Sequence, residues 1–233
     1  MKLVTALLVT AGAIWILAIA IMPAGAPAQM TTVERVTGSG WWPTKAGIAR
    51  GLYAGAATCA RCHQRIGESQ GTTAMARTAQ RAAESESLLA HRVLTFQTGD
   101  QVHEIRTTNG ASLYSVSDGT NTISNVLGWA LGAGKVGQTF VFEREGAMYE
   151  ARASYFEGKR GLDVTPGRAL ERPADLHAAI GRRLQPPETR RCLACHSTVL
   201  TLRNGLVSDM VPGVTSGTAA DRSSTTRRRH SSS

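Results

Sequence analysis

The chain has 233 residues, of which 42% are hydrophobic and 5% aromatic, and it carries a formal net charge of +9. This length suits one folded domain with tails. Part of the charge lies at the C-terminus, where Arg222, Arg227, Arg228 and Arg229 stand against only Asp221. No stretch interleaves aromatic with basic side chains as a nucleic-acid groove does, so the composition argues against nucleic acid as a partner.

The N-terminus has the pattern of an export signal. Lys2 precedes an uncharged, apolar run over residues 3–22, and small residues and prolines follow up to Ala28. We expect residues 1–28 to be a signal peptide cleaved after Ala28, or an uncleaved N-terminal membrane anchor. Both alternatives place the folded part in the periplasm or on the outer face of the cytoplasmic membrane. Residues 29–51, rich in Thr, Gly and Pro, are predicted to be a linker.

In the first part of the folded region, the amino-acid composition changes from one that favours helix to one that favours strands. Residues 57–91 are rich in alanine and favour helix. Residues 101–106 and 112–116 have the composition of strands, and the turn dipeptide Asn109-Gly110 lies between them. The sequence therefore predicts helix first and strands second.

The second part contains a β-hairpin signal and a short helix. Residues 139–142 and 148–151 flank Glu145-Gly146, a pattern that predicts a hairpin. Residues 174–184 are predicted to form a short helix that ends before Pro186-Pro187.

All four cysteines fall in two C-x-x-C-H strings, at residues 59–63 and 192–196. This pattern is typical of c-type haem attachment. Two thiols on one helical turn reach the two vinyl groups of one porphyrin, and the histidine that follows binds the iron on the same side. The sequence therefore predicts two covalent haem c groups. Their thioether residues would be Cys59, Cys62, Cys192 and Cys195, and their proximal iron ligands His63 and His196.

Other uses of the cysteines stay open. Two C-x-x-C pairs can form a structural zinc site, although zinc ribbons keep their pairs much closer in sequence and zinc does not explain the two histidines. Two disulfides are an alternative in an exported protein. Residues 132–137 match G-x-G-x-x-G, but this string precedes a strand-like segment, so we interpret it as a glycine turn into the hairpin.

The second axial ligand of each iron is not determined by the motifs. Histidine or methionine can fill that position, and methionine gives the higher potential. An open sixth position would permit chemistry on small molecules. The candidates for the distal position are Met75, His91, His103 and His177, with Met148 and Met210 behind them.

Residues 51–215 resemble a family of exported multihaem c-type cytochromes related to the tetrahaem electron-transfer cytochromes. The resemblance is carried by the two C-x-x-C-H motifs, by Tyr53-Ala54-Gly55 ahead of the first, and by residues 132–140, 149–155 and 162–167. It implies electron transfer through closely packed haems. Family members usually continue from a string like Val211-Pro212-Gly213-Val214-Thr215 into a third haem motif, so this chain looks truncated there. Residues 216–233 are predicted to be a disordered basic tail.

These observations predict an α+β fold, with haem-bearing helices at both ends and an antiparallel β-hairpin insert between them. Residues 52–215 would form the diheme domain. The expected function is electron transfer outside the cytoplasm, with redox proteins as partners. We favour an electron carrier over an enzyme. The alternatives are a reductase or oxidase of small nitrogen or oxygen compounds with an open haem site, or a truncated, non-functional fragment of one.

Overall fold

The computed structural model describes residues 50–168 and 172–215. The predictions for residues 1–28, for the linker up to residue 49 and for the tail at 216–233 lie outside these residues. Within the described part of the chain, no helix is both long and apolar enough to cross a bilayer.

Strands dominate the described part of the chain. The strands are β1 (Ala79–Arg81), β2 (Val93–Thr98), β3 (Gln101–Thr108), β4 (Ala111–Ser117), β5 (Thr122–Val126), β6 (Trp129–Leu131), β7 (Gly137–Arg144), β8 (Ala147–Ala151), β9 (Ala153–Phe156), β10 (Gly161–Val164), β11 (Gly181–Arg183), β12 (Ser197–Arg203) and β13 (Leu206–Pro212). The helices are short: α1 (Ala56–Ala60), α2 (Gln64–Gly71), α3 (Glu86–Ala90), α4 (Leu176–Ile180) and α5 (Pro186–Cys195).

The strands form three antiparallel sheets. One sheet has four strands in the order β2-β3-β4-β5. A second has seven strands: β1-β6-β7-β8-β11 lie in a row, and β9 pairs with both β7 and β10. The third is the hairpin β12-β13. Side chains along β3 alternate between buried and exposed positions, which is the pattern of a sheet with one face on the core.

The two larger sheets share one hydrophobic core. The four-stranded sheet contributes Ile105 and Tyr114, and the seven-stranded sheet contributes Phe140 and Phe142; all four are fully buried. Helices α3 and α4 add Leu88 and Ile180 to the same cluster. The hairpin β12-β13 lies outside this cluster and packs on α5 and β1.

The predicted α+β fold with haem-bearing helices at both ends is wrong. The described part of the chain is mostly β-sheet, and its helices near the cysteine motifs have only 5, 8 and 10 residues. The alanine-rich stretch, which favours helix, contains the three short helices α1, α2 and α3, with strand β1 between α2 and α3. The predicted helix at 174–184 ends at Ile180, and the chain continues as strand β11. The hairpin across Glu145-Gly146 is confirmed, but it is one part of the largest sheet and not an insert.

A buried histidine makes this core sensitive to acid. His103 is fully buried, and its Nδ1 lies 2.7 Å from the Tyr114 hydroxyl. Its Nε2 is also buried and has no hydrogen-bond partner. Burial, followed by the charge of Arg152, lowers the pKa of His103 to about 4. The imidazole is therefore neutral in the folded protein at neutral pH.

We predict that the folded state loses stability as the pH falls from about 6.5 to about 4. The unfolded chain takes up a proton on His103 near its ordinary pKa, whereas the folded chain does so only at the lowered value. Acid therefore favours unfolding, and the loss is complete below about pH 4, at roughly 3 kcal/mol. Urea unfolding at a series of pH values measures how the free energy of unfolding changes between about pH 6.5 and about pH 4. His103→Gln should remove most of this pH dependence, and His177→Gln, an exposed control, should leave it in place. If His103→Gln shows the same pH dependence as the parent protein, His103 is not its cause.

Candidate functional site

The first cysteine motif lies where α1 gives way to α2. Cys59 is in the last turn of α1, Cys62 is in the turn that follows, and His63 immediately precedes α2. The backbone N–H groups of Cys62 and His63 both donate to the carbonyl of Cys59, at 3.3 and 2.9 Å. One helical turn therefore carries both thiols and the imidazole.

The helices around this motif have no core of their own. Neither α1 nor α2 buries a single side chain, and Ile66 on α2 is 65% exposed. A cavity of about 810 Å³ lies beside them, lined by Cys62, His63 and Ile66 among others. Helices this short are not stable without packing against an apolar surface. The surroundings of the first motif therefore fit a large apolar group bound at Cys59 and Cys62.

The second motif is anchored more firmly. Helix α5 begins with a capping box, in which Gln185 and Glu188 each accept a hydrogen bond from the other's backbone N–H, and it buries Leu193 and Ala194. Cys192 and Cys195 lie in its last turn and are half-buried. Burial raises the pKa of both thiols. This motif is thus held by the protein's own side chains.

The imidazole of His196 has a defined hydrogen-bonding state. Its Nδ1 lies 2.8 Å from the backbone carbonyl oxygen of Thr78 and 2.8 Å from the hydroxyl of the same residue. A carbonyl oxygen can only accept, so Nδ1 carries the proton and donates it. The lone pair of the neutral ring then lies on Nε2. A backbone carbonyl on the second ring nitrogen is the usual partner of a metal-binding histidine.

Contacts between the chain segments beside the two motifs bring them together. The backbone N–H of Val214 donates to the carbonyl of Met75 at 2.9 Å, and the Gln70 side chain donates to the carbonyl of Val214 at 2.5 Å. One residue before Val214, the backbone N–H of Gly213 donates to the carbonyl of His196 at 2.9 Å. The segment after α2 and the segment after α5 are therefore packed against each other.

The four candidates for distal ligands are placed differently. Met75 is 54% exposed and lies in the turn after α2, where it contacts the end of β13 through its backbone. His91 ends α3 and stacks on Tyr155 with ring centres 5.8 Å apart. Of the four, Met75 alone lies on the segment after α2 that is hydrogen-bonded to the segment after the second motif.

The other two histidines contact side chains far from the motifs in sequence. His103 is in the core, against Tyr114. His177 is exposed, and its Nδ1 accepts a hydrogen bond from Arg144 at 3.0 Å, so the neutral ring carries its proton on Nε2. Neither nitrogen of His177 then has a free lone pair for iron. Met148 and Met210 are both buried.

The donor groups of the motifs fit covalent haem. Cys59, Cys62, Cys192 and Cys195 are all free thiols, two beside each motif histidine. His196 has its Nε2 available, and the helices at the first motif bury no side chain and expose Ile66. Within residues 50–168 and 172–215, no group of three or more His, Cys, Asp or Glu side chains could hold a metal ion.

Sequence reasoning missed Thr78 and Gly213. Thr78 lies 118 positions before His196, and nothing in its local sequence indicates that its carbonyl accepts from that ring. Gly213 has a φ of +75°, and a Cβ at this position would overlap the carbonyl oxygen of Ala76. Only glycine therefore allows the two backbones to approach this closely.

We predict that Gly213→Ala separates these backbones and lowers the free energy of unfolding by at least about 2 kcal/mol, since it combines steric overlap with a strained φ. Urea unfolding is the measurement. Gly110→Ala is the matched control: its φ is +101°, but no atom lies within 4 Å of the added Cβ. If both variants lose the same stability, the close approach at Gly213 contributes nothing beyond its φ.

No protein-family model, curated protein or solved structure matches this chain. The proposal that follows is therefore argued from the residue types, their spacing and the contacts described above.

Proposed function

We propose that the protein is a c-type cytochrome that binds two haem c groups covalently and transfers electrons outside the cytoplasm. The observation that carries the proposal is the hydrogen bond from His196 Nδ1 to the Thr78 carbonyl, because it leaves Nε2 free for iron next to two thiols. The resemblance to multihaem c-type cytochromes and the signal-like N-terminus support it. Haem iron, when bound, accepts or passes on a single electron.

The residues have separate roles in this proposal. Cys59 and Cys62 hold one haem, and Cys192 and Cys195 hold the other. His63 and His196 are the proximal iron ligands. Thr78 is a positioning residue: its carbonyl fixes the tautomer and the orientation of the His196 ring, as partners of metal-bound histidines do.

The packing of the two motif segments supports transfer between the haems. Electron transfer slows steeply with distance, so a carrier with two haems benefits from attachment sites that are close together. The hydrogen bonds of Val214 to Met75 and Gln70 hold the segments beside the two motifs against each other. Redox proteins outside the cytoplasm would then be the partners.

The first test is the colour and mass of the whole protein made in a host that attaches c-type haem. We expect a red protein whose mass exceeds that of the polypeptide by two haems. Cys59→Ser with Cys62→Ser should remove one haem, and Cys192→Ser with Cys195→Ser should remove the other, so each double variant is the control for its counterpart. A colourless parent with four free thiols would overturn the proposal.

The second test distinguishes electron transfer from catalysis. A carrier has both axial positions of each iron filled by the protein, so the reduced protein should show low-spin spectra that carbon monoxide does not change. Absorption spectra before and after addition of carbon monoxide measure this. A high-spin haem that binds the gas would contradict the role of a pure electron carrier.

A further inference from the structure

A second cavity lies next to the glycine-rich loop at residues 132–137. It has a volume of about 530 Å³, and none of its lining residues belongs to a cysteine motif. We call it the glycine-loop cavity. Its walls come from this loop, from α3 and from the segment that follows β9. This volume falls in the range that holds small-molecule ligands.

Basic side chains outnumber acidic ones around the glycine-loop cavity. Arg77, Lys135 and Arg160 line it together with Glu86 and Glu157. Both carboxylates have partners already: Glu86 lies 3.5 Å from Arg77, and Glu157 accepts from the Tyr155 hydroxyl at 2.7 Å. Lys135 and Arg160 form no ion pair within the described part of the chain. Two cations are therefore free to meet an anionic ligand without breaking an existing pair.

The wall of the cavity is held in place by a buried amide. Gln138 is 2% exposed, its Oε1 accepts from the Ser85 hydroxyl at 2.6 Å, and its Nε2 donates to the carbonyl of Gly132 at 3.0 Å. Ser85 is also the N-cap of α3. The amide thus ties the glycine loop to α3. A ligand would meet a wall already in position, which reduces the entropic cost of binding.

His91 also lines the cavity. Its ring stacks on Tyr155 and makes no hydrogen bond within the described residues. The Tyr155 hydroxyl is occupied by Glu157, and burial followed by this hydrogen bond raises the pKa of Tyr155 to about 12. The tyrosine therefore stays neutral and adds no negative charge. His91 is left with an N–H that can be donated to a ligand.

We propose that the glycine-loop cavity binds an oxyanion of the phosphate type, either free or as part of a small organic molecule. Lys135 and Arg160 supply the charge, and His91 supplies a further donor. Arginine and lysine are the side chains that proteins use most for phosphate, because their N–H groups form charge-assisted hydrogen bonds with its oxygens. The cavity has room for more than one phosphate ion, so an organic substituent on the phosphate also fits.

Calorimetric titration of the full-length protein with inorganic phosphate and with phenyl phosphate tests the proposal. We expect binding in the millimolar range or tighter, and affinity that falls as the salt concentration rises. Equal affinities for both probes indicate free phosphate as the ligand, and tighter binding of phenyl phosphate indicates an organic phosphate. No lining residue belongs to a cysteine motif, so the proposed site does not require bound haem.

Lys135→Gln and Arg160→Gln should each weaken binding about tenfold, since each removes one charge-assisted contact. Both side chains are exposed, so the fold should tolerate the change, and urea unfolding of each variant checks this. Arg203→Gln is the matched control, because it removes the same charge from an exposed arginine outside the cavity. The proposal is overturned if neither probe binds the parent protein, or if all three variants bind as the parent does.

Discussion

One backbone oxygen joins three parts of the molecule. The carbonyl of Thr78 accepts from the Gly132 N–H at 2.7 Å and from His196 Nδ1 at 2.8 Å. Thr78 itself is buried and lies immediately before β1. The glycine loop, the edge of the large sheet and the second cysteine motif consequently share one anchor. Displacing this carbonyl would leave the His196 ring without a defined tautomer and the loop without its first hydrogen bond.

The close contact at Gly213 completes this arrangement from the other side. The end of β13 lies against the turn after α2, and Val214 and Gln70 form the hydrogen bonds that hold it there. The Tyr53 hydroxyl, ahead of the first motif, lies 2.9 Å from the Thr215 hydroxyl. Residues 62 and 192 are far apart in sequence, yet the segments around them meet through these contacts. Their proximity depends on tertiary contacts and not on either motif alone.

Local signals in the sequence predict local structure, and the errors arise where the fold depends on pairing. Glu145-Gly146 correctly predicts a hairpin because a turn between two apolar strands is specified by neighbouring residues. Asn204-Gly205 carries the same kind of signal, with φ values of +52° and +82°, and it connects β12 to β13 directly after the second motif. This dipeptide therefore indicates a hairpin after the second motif, where a helical end was expected. The Thr78 contact has no local signal, because it joins residues that meet only in the folded chain.

The two motifs differ in what stabilises them, and this difference follows from where the core lies. The aromatic side chains are few, and the largest fully buried ones, such as Tyr114 and Phe140, lie in the core that the two larger sheets share. Helix α5 buries Leu193, so its cysteines lie on a helix that is packed against the rest of the protein. Helices α1 and α2 bury nothing, and Ile66 is left facing solvent. In the proposed cytochrome the first haem would therefore supply the apolar surface that its helices lack, whereas the second would be attached to a helix that the protein's own side chains already hold in place.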